Sequence, residues 1–314
     1  MILITGGMGF IGLHTARSFL DAGEPVVLTR FRAWRLPRFL EGELGTQLQV
    51  EPLDLADGWA VLDLLRRRSV TSIVHLAAPA PGSSPAQSYR SGLLGLINVL
   101  EAARQHGVRR VSLASSVSVY ANAGPGPWRE EMPLPMESDG HIAAEKKAME
   151  ALALHFADRT GVDVRIMRLA MIYGPLYHSM ANLPSRLCLA AVRGQPPRLD
   201  DLRVGTPYAQ ETADLCYVRD CAAGIRSLHL SDRLSHRVYN VGGGRAVTNQ
   251  ELAEAVRKAI PTAEVSLPSC PPRPDARQAY MDISRIQQDT GYAPRYDLIN
   301  GVADYVAWLR EEPQ

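Results

Sequence analysis

The chain has 314 residues, 46% hydrophobic and 21% charged, with a formal net charge of +1. That length allows one large domain or two modest ones with a sizeable core, and the balanced charge speaks against a nucleic-acid partner and against an acidic tail. Cys188, Cys216, Cys221 and Cys270 form no C-x-x-C pair and His residues show no metal-like spacing, so no metal is expected. No apolar run approaches the roughly 18 residues of a membrane span, and the first residues carry no leader pattern. A cytoplasmic protein acting on a small molecule is the expectation.

In chain order, "MILIT" reads as a short strand ending in glycines, and "FIGLHTARSFLDAGE" as a helix stopped at Gly23. Further apolar runs follow at "PVVLT", "LQVEPLD", "TSIVHLAA", "RRVSLASS" and "DVRIMRL". Between them lie helical patterns such as "GWAVLDLLRRR" and "YRSGLLGLINVLEAARQHG". Continuous apolar strands alternating with helices predict an α/β fold with a doubly wound parallel sheet, because strands covered on both faces need no polar side. The pattern loosens over 124–140 and 175–215. We expect a Rossmann-type domain over 1–172, joined by 213–245, and a smaller, mainly C-terminal substrate domain and lid over 173–314.

"ITGGMGFIG" places Gly6, Gly9 and Gly12 between the first strand and first helix, with Phe10 and Ile11 opening that helix. Glycines there let a pyrophosphate approach the backbone at a helix N-terminus whose amides and dipole favour anions. About 20 residues on, where a carboxylate would select NAD, the chain has Arg30, with Arg32 close by. A guanidinium pairs with a 2′-phosphate that a carboxylate would repel, so NADPH is expected over NADH. Asp54 and Leu55 after the third strand, and Ala77 in "HLAAP", would line the rest of the cofactor path.

Taken in order, "TGGMGFIG", "IVHLAA", "LINVLEAA", "SLASSVSVY", "KKAMEAL", "RLAMIYGP", "YVRDCAAGI", "VYNVGGG", "TNQELAEAV" and "GVADYVAWL" resemble the extended short-chain dehydrogenase/reductase family over almost the whole chain. That family contains nucleotide-sugar epimerases and dehydratases. The resemblance implies a catalytic Ser/Thr, Tyr and Lys, with the tyrosine as general acid or base and the lysine on the nicotinamide ribose. Ser116 matches the serine and Lys146 the lysine, but Ile142 occupies the tyrosine position. The arginine that binds the nucleotide in sugar-nucleotide members is replaced by Ala213, seven residues before Asp220.

These two departures lead us to expect an atypical, NADPH-dependent ketoreductase acting on an apolar polycyclic ketone of the aromatic polyketide (angucyclinone-like) type. In that reading Ser116 and Ser118 steady the carbonyl, and substrate or water gives the proton. Trp128, Met132, Tyr173 and Tyr177 would face the ligand, and a homodimer could form through the helices at 88–105 and 144–158. A non-catalytic NADP(H) sensor and a nucleotide-sugar epimerase or dehydratase are the other two readings.

Overall fold

A computed structural model describes residues 1–31, 34–79, 83–138, 140–200, 202, 205–269 and 279–312. The first half alternates strand and helix: β1 (Ile2–Thr5), α1 (Phe10–Leu20), β2 (Val26–Arg30), α2 (Arg38–Glu41), β3 (Leu48–Pro52), α3 (Gly58–Arg67), β4 (Ser72–His75), α4 (Pro85–His106) and β5 (Arg110–Ser116). A 3₁₀ turn over Val117–Tyr120 precedes α5 (His141–Thr160), β6 (Asp163–Leu169) and β7 (Met171–Tyr173). The remainder comprises α6 (Leu183–Val192), β8 (Thr212–Ala213), β9 (Leu215–Tyr217), α7 (Val218–Leu230), β10 (Val238–Val241), β11 (Val247–Thr248), α8 (Asn249–Ala259), α9 (Ser284–Thr290) and α10 (Leu298–Glu311).

Seven strands form one sheet in the order β10-β6-β5-β4-β1-β2-β3. The pairs β1–β2, β1–β4, β2–β3 and β4–β5 are all parallel, as expected of a Rossmann-type sheet. The order reverses at β1: β2 and β3 lie to one side, β4 and β5 to the other. In open parallel sheets that reversal leaves a crevice at the strands' carboxyl ends where ligands bind.

Local sequence explains the element ends. Ser84 and Gln87 form a capping box at the start of α4, Pro85 takes the first helical place, and Gly107 closes the helix in the left-handed region. Thr248 and Glu251 repeat the box on α8, and the Asp57 and Asp297 side chains cap α3 and α10. Helix α3 presents Val61, Leu62, Leu64 and Leu65 to the core at the spacing of one helix face.

Two compact units emerge: residues 1–123, 133–168 and 222–239, and residues 124–132, 169–221 and 240–314. The first holds most of the sheet, with a core that includes Leu3, Val27, Ile73, Leu96, Val111, Leu113 and Ile166. The second is built around Tyr173, Leu187, Tyr217, Leu252, Val256, Val302 and Tyr305. Among the described residues no helix is long and apolar enough to cross a membrane.

One polar group in the first core has a consequence for stability. The buried His229 ring is hydrogen-bonded through Nδ1 to Ser112 Oγ and through Nε2 to Ser72 Oγ, both at 2.8 Å. Burial, with Arg110 and Arg109 adding to it, pushes its pKa down to about 3. A histidine held neutral in the fold contributes stability that is present above about pH 6.5, its unfolded value, and is lost as pH falls towards 3. By pH 4.5 the loss should be on the order of 2–3 kcal/mol. Urea titrations at pH 7.5 and 4.5 check this: His229→Gln should lower stability at pH 7.5 yet shrink the loss between the two pH values.

Candidate active site

The glycine turn after β1 is closed to side chains. Gly6 has φ +67°, and a Cβ there would lie 2.8 Å from the backbone N and Cα of Ala77. At Gly12 a Cβ would lie 2.6 Å from the Gly6 carbonyl oxygen, so helix and turn touch through backbone alone. The Gly6 amide donates to Thr29 Oγ1 at 3.1 Å, which ties the turn to β2. Gly9 is the N-cap of α1 and has no side chain to cap the helix amides, so the first turn is left open to an external anion. Phe10 and Ile11 are half-buried in that turn.

Arg30 ends β2; among the described residues its buried Nε has no hydrogen-bond partner, and its guanidinium carbon lies 5.8 Å from the Trp34 ring centroid. Arg32 lies outside the described residues. Asp54 is exposed and its carboxylate accepts from the Ala56 amide at 2.9 Å. The Leu55 carbonyl accepts from Asn98 Nδ2 at 2.7 Å, and the Leu55 side chain fills the space over Gly95 of α4.

Helix α5 packs on β5 and on the 3₁₀ turn that follows it. Lys146 is 9% exposed and donates from Nζ to the Ala114 carbonyl at 2.8 Å, near the end of β5. Ser116, the last residue of β5, accepts the Ser118 amide on Oγ at 3.2 Å and so starts the turn. Ser118 Oγ is itself buried, with no hydrogen-bond partner among the described residues. Burial pulls the Lys146 ammonium down from its ordinary pKa, with Glu145 and Glu150 acting in the opposite direction. His75, bonded to Thr5 Oγ1 at 2.8 Å, is held down to about 3 by burial first and Lys146 second. It is therefore neutral and adds no competing positive charge. Ile142 sits in the first turn of α5, 44% exposed, one helical turn before Lys146.

Beneath this frame lies a buried ion pair. Arg168 donates to Glu150 from Nε at 3.0 Å and from Nη2 at 2.8 Å, and from Nη1 to Tyr120 Oη at 2.8 Å. Ser115 Oγ donates to the same carboxylate. Tyr120 is thus engaged under the sheet end, not offered to a ligand.

Four residues expected near a ligand belong to the second unit. Tyr173 is 2% exposed, its ring edge-on to Tyr217 at 5.4 Å and its hydroxyl against Gly301, so it is a core residue. Tyr177 is half-buried. Trp128 donates from Nε1 to the Gly124 carbonyl at 2.9 Å, and its backbone pairs with Tyr280 and Asp282. Met132 Sδ accepts the Arg129 amide at 3.3 Å. Ala213 lies in β8, paired antiparallel with Val247 of β11. Its neighbour Asp214 is buried, accepts the Gly243 and Met281 amides at 2.7 and 3.1 Å, and is pushed up to about 6 by that burial.

No local motif marks Thr29, whose hydroxyl accepts the Gly6 amide, or the pairing of Glu150 with Arg168, because each joins residues distant in sequence.

With this geometry in hand, comparisons place the chain. The model of the NAD dependent epimerase/dehydratase family matches residues 2–242, and the chain belongs to that family. It is 29% identical to a dTDP-glucose 4,6-dehydratase of Actinoplanes sp., over 98% of this chain and 97% of that one. It is 28% identical to the human UDP-glucose 4-epimerase, over 99% and 97%. The solved Thermus thermophilus UDP-glucose 4-epimerase in complex with NAD superposes with a TM-score of 0.78 at 26% identity, covering 99% of both chains.

These relatives overturn the expected ketoreductase for an aromatic polyketide, such as the angucyclinone of simocyclinone biosynthesis. That expectation rests on the side chains at 142 and 213, whereas the kinship to nucleotide-sugar enzymes runs the full length of the fold. The assignment to an NAD(P)-dependent oxidoreductase-type enzyme of the extended short-chain dehydrogenase/reductase class stands.

The ion pair under the site makes a prediction. Arg168→Met should cost about 3–5 kcal/mol, because it leaves the Glu150 carboxylate buried without its cation. Arg168→Met/Glu150→Gln should lose less than the two single costs added together, read by denaturant unfolding.

Proposed function

We propose that this chain transfers hydride between a nicotinamide dinucleotide and a carbinol carbon of a nucleotide sugar, in the manner of an epimerase. One observation carries the reading: Ser116 and the buried Lys146 are both held at the end of β5, on a chain whose whole length matches nucleotide-sugar enzymes.

The residues fit a dinucleotide. Gly6 and Gly12 leave no room for a Cβ, so a pyrophosphate could approach backbone amides at the start of α1. Gly9, Phe10 and Ile11 would form the rest of that cradle, with Asp54 and Leu55 towards the adenine and Ala77 along the path. Arg30, whose Nε has no hydrogen-bond partner among the described residues, suits a 2′-phosphate, so the reading favours NADP(H) over NAD(H). Nicotinamide, when bound, supplies the two-electron acceptor or donor. Lys146 would hold the nicotinamide ribose, its ammonium steadied by the Ala114 carbonyl. Ser116 would hydrogen-bond the substrate oxygen and orient it, and Ser118, its buried hydroxyl without a partner among the described residues, would support it.

Epimerisation asks less of these residues than dehydration, because expelling water from a keto-sugar needs one further group to take the α-proton and another to protonate the leaving hydroxyl.

Incubation with UDP-glucose or dTDP-glucose and NAD⁺ or NADP⁺, followed by NMR, should reveal the C4 epimer. Absence of any conversion of nucleotide sugars, together with reduction of a ketone that carries no nucleotide, would overturn the reading. Arg30→Asp should weaken NADP(H) binding about 10- to 100-fold and NAD(H) binding far less, measured by nicotinamide fluorescence titration. Ser116→Ala should lower kcat by about 10²-fold with cofactor affinity unchanged.

A further inference from the structure

Arg30 carries the proposed choice between the two nicotinamide dinucleotides, and its surroundings show how its side chain is held. The sheet sets its place. In the parallel β1–β2 register Ile4 lies beside Leu28, so Gly6 and Arg30, each two residues further on, come to the same end of adjacent strands. On the other side Arg30 pairs with Pro52 of β3, and its carbonyl accepts the Leu53 amide at 2.9 Å. Arg30 therefore stands between the glycine turn and the segment that leads to Asp54.

The chain that follows β2 is basic and aromatic. Residues 30–38 read RFRAWRLPR, with four arginines and no carboxylate. Trp34 is 55% exposed, and the Arg30 guanidinium carbon lies over its ring, 5.8 Å from the centroid. The connection is anchored beyond Trp34 as well. The Phe39 ring stacks on His14 of α1 with centroids 5.2 Å apart, and the Phe39 carbonyl accepts from Arg17 Nη1 at 3.2 Å. The segment that carries Trp34 thus has one end in the sheet and the other on α1.

An aromatic ring attracts a guanidinium through its quadrupole and leaves the positive charge uncancelled. A carboxylate in the same place would hold the arginine too, but it would neutralise the charge and occupy N–H donors. Arg30 Nε is buried and has no hydrogen-bond partner among the described residues. A buried N–H in that condition is a donor kept for a ligand, and an anion able to accept two N–H groups side by side suits a guanidinium best.

We propose that Trp34 is a positioning residue for cofactor choice: it holds the Arg30 guanidinium at the end of β2 with its charge and its donors kept for the 2′-phosphate of NADP(H). This rests on the reading of Arg30 as the 2′-phosphate partner. Arginine loses much rotamer freedom when it is fixed on a ligand, and an aliphatic neighbour would leave that loss to the binding step. The indole orders the side chain beforehand, so the phosphate meets a guanidinium already in place.

The test uses adenosine 2′,5′-bisphosphate and 5′-AMP, which differ only by the 2′-phosphate and need no turnover, with binding read by isothermal titration calorimetry. The wild type should prefer the bisphosphate. Trp34→Leu should lower bisphosphate affinity about 3- to 30-fold and leave 5′-AMP binding unchanged, while Trp34→Phe should recover part of the loss. Equal losses for both ligands would mean that the ring stacks on adenine or that the segment is disturbed, and would overturn the proposal. In an Arg30→Ala background Trp34→Leu should have no further effect on bisphosphate binding, because a ring that acts through Arg30 has nothing left to act on. A further loss of the same size there would also overturn it. If the wild type shows no preference for the bisphosphate, the 2′-phosphate assignment of Arg30 fails and the role of Trp34 falls with it. If the preference exists and survives Trp34→Leu intact, Arg30 keeps its assignment and Trp34 loses its role.

Discussion

The Glu150–Arg168 pair is the contact on which the geometry at the end of β5 depends. Taking two charges out of water is costly, and their attraction offsets that cost only when the remaining donors and acceptors are satisfied. Here the carboxylate receives three bonds from the guanidinium, two of them from Nε, and one from Ser115, while the guanidinium also reaches Tyr120. These four residues come from α5, β6, β5 and the 3₁₀ turn, so their partners are met in one register only. Ser116 follows Ser115, and Lys146 lies one turn before Glu150. The pair thereby fixes the two side chains on which the chemistry rests.

Charge around Lys146 is arranged with few groups. Its ammonium donates to the Ala114 carbonyl and to Met149 Sδ, with two carboxylates within electrostatic reach. His75, on which the Lys146 charge acts, is buried enough to stay neutral and is bonded to Thr5. A site poor in solvent and balanced in charge lets modest differences in protonation act strongly, because the local dielectric is low.

The second unit shows how an aromatic residue near a suggestive motif can be misread. Tyr173 follows "RLAMI" and looks available, yet it packs between Tyr217 and Gly301 in the core of its unit. Tyrosine suits either role, and only the neighbours decide. Asp214 is the converse case. A buried carboxylate held by the amides of Gly243 and Met281, it shapes the loop after β10 and lies beside the position that drew attention, Ala213.

What the chain determines by itself is local or periodic. The β–α alternation, the glycine turn, the capping boxes and the Ser116 and Lys146 positions all follow from short-range patterns, because backbone sterics and helix or strand periods act over a few residues. The parallel order of the sheet follows in kind from that alternation. What only the tertiary structure decides is pairwise and distant: Thr29 under Gly6, Glu150 with Arg168, and Phe39 on His14. Burial makes those contacts matter, since an unpaired oxygen or a missing Cβ has energetic weight only once water is gone. In the sequence Trp34 is one aromatic residue among arginines; in the fold its ring lies under the Arg30 guanidinium.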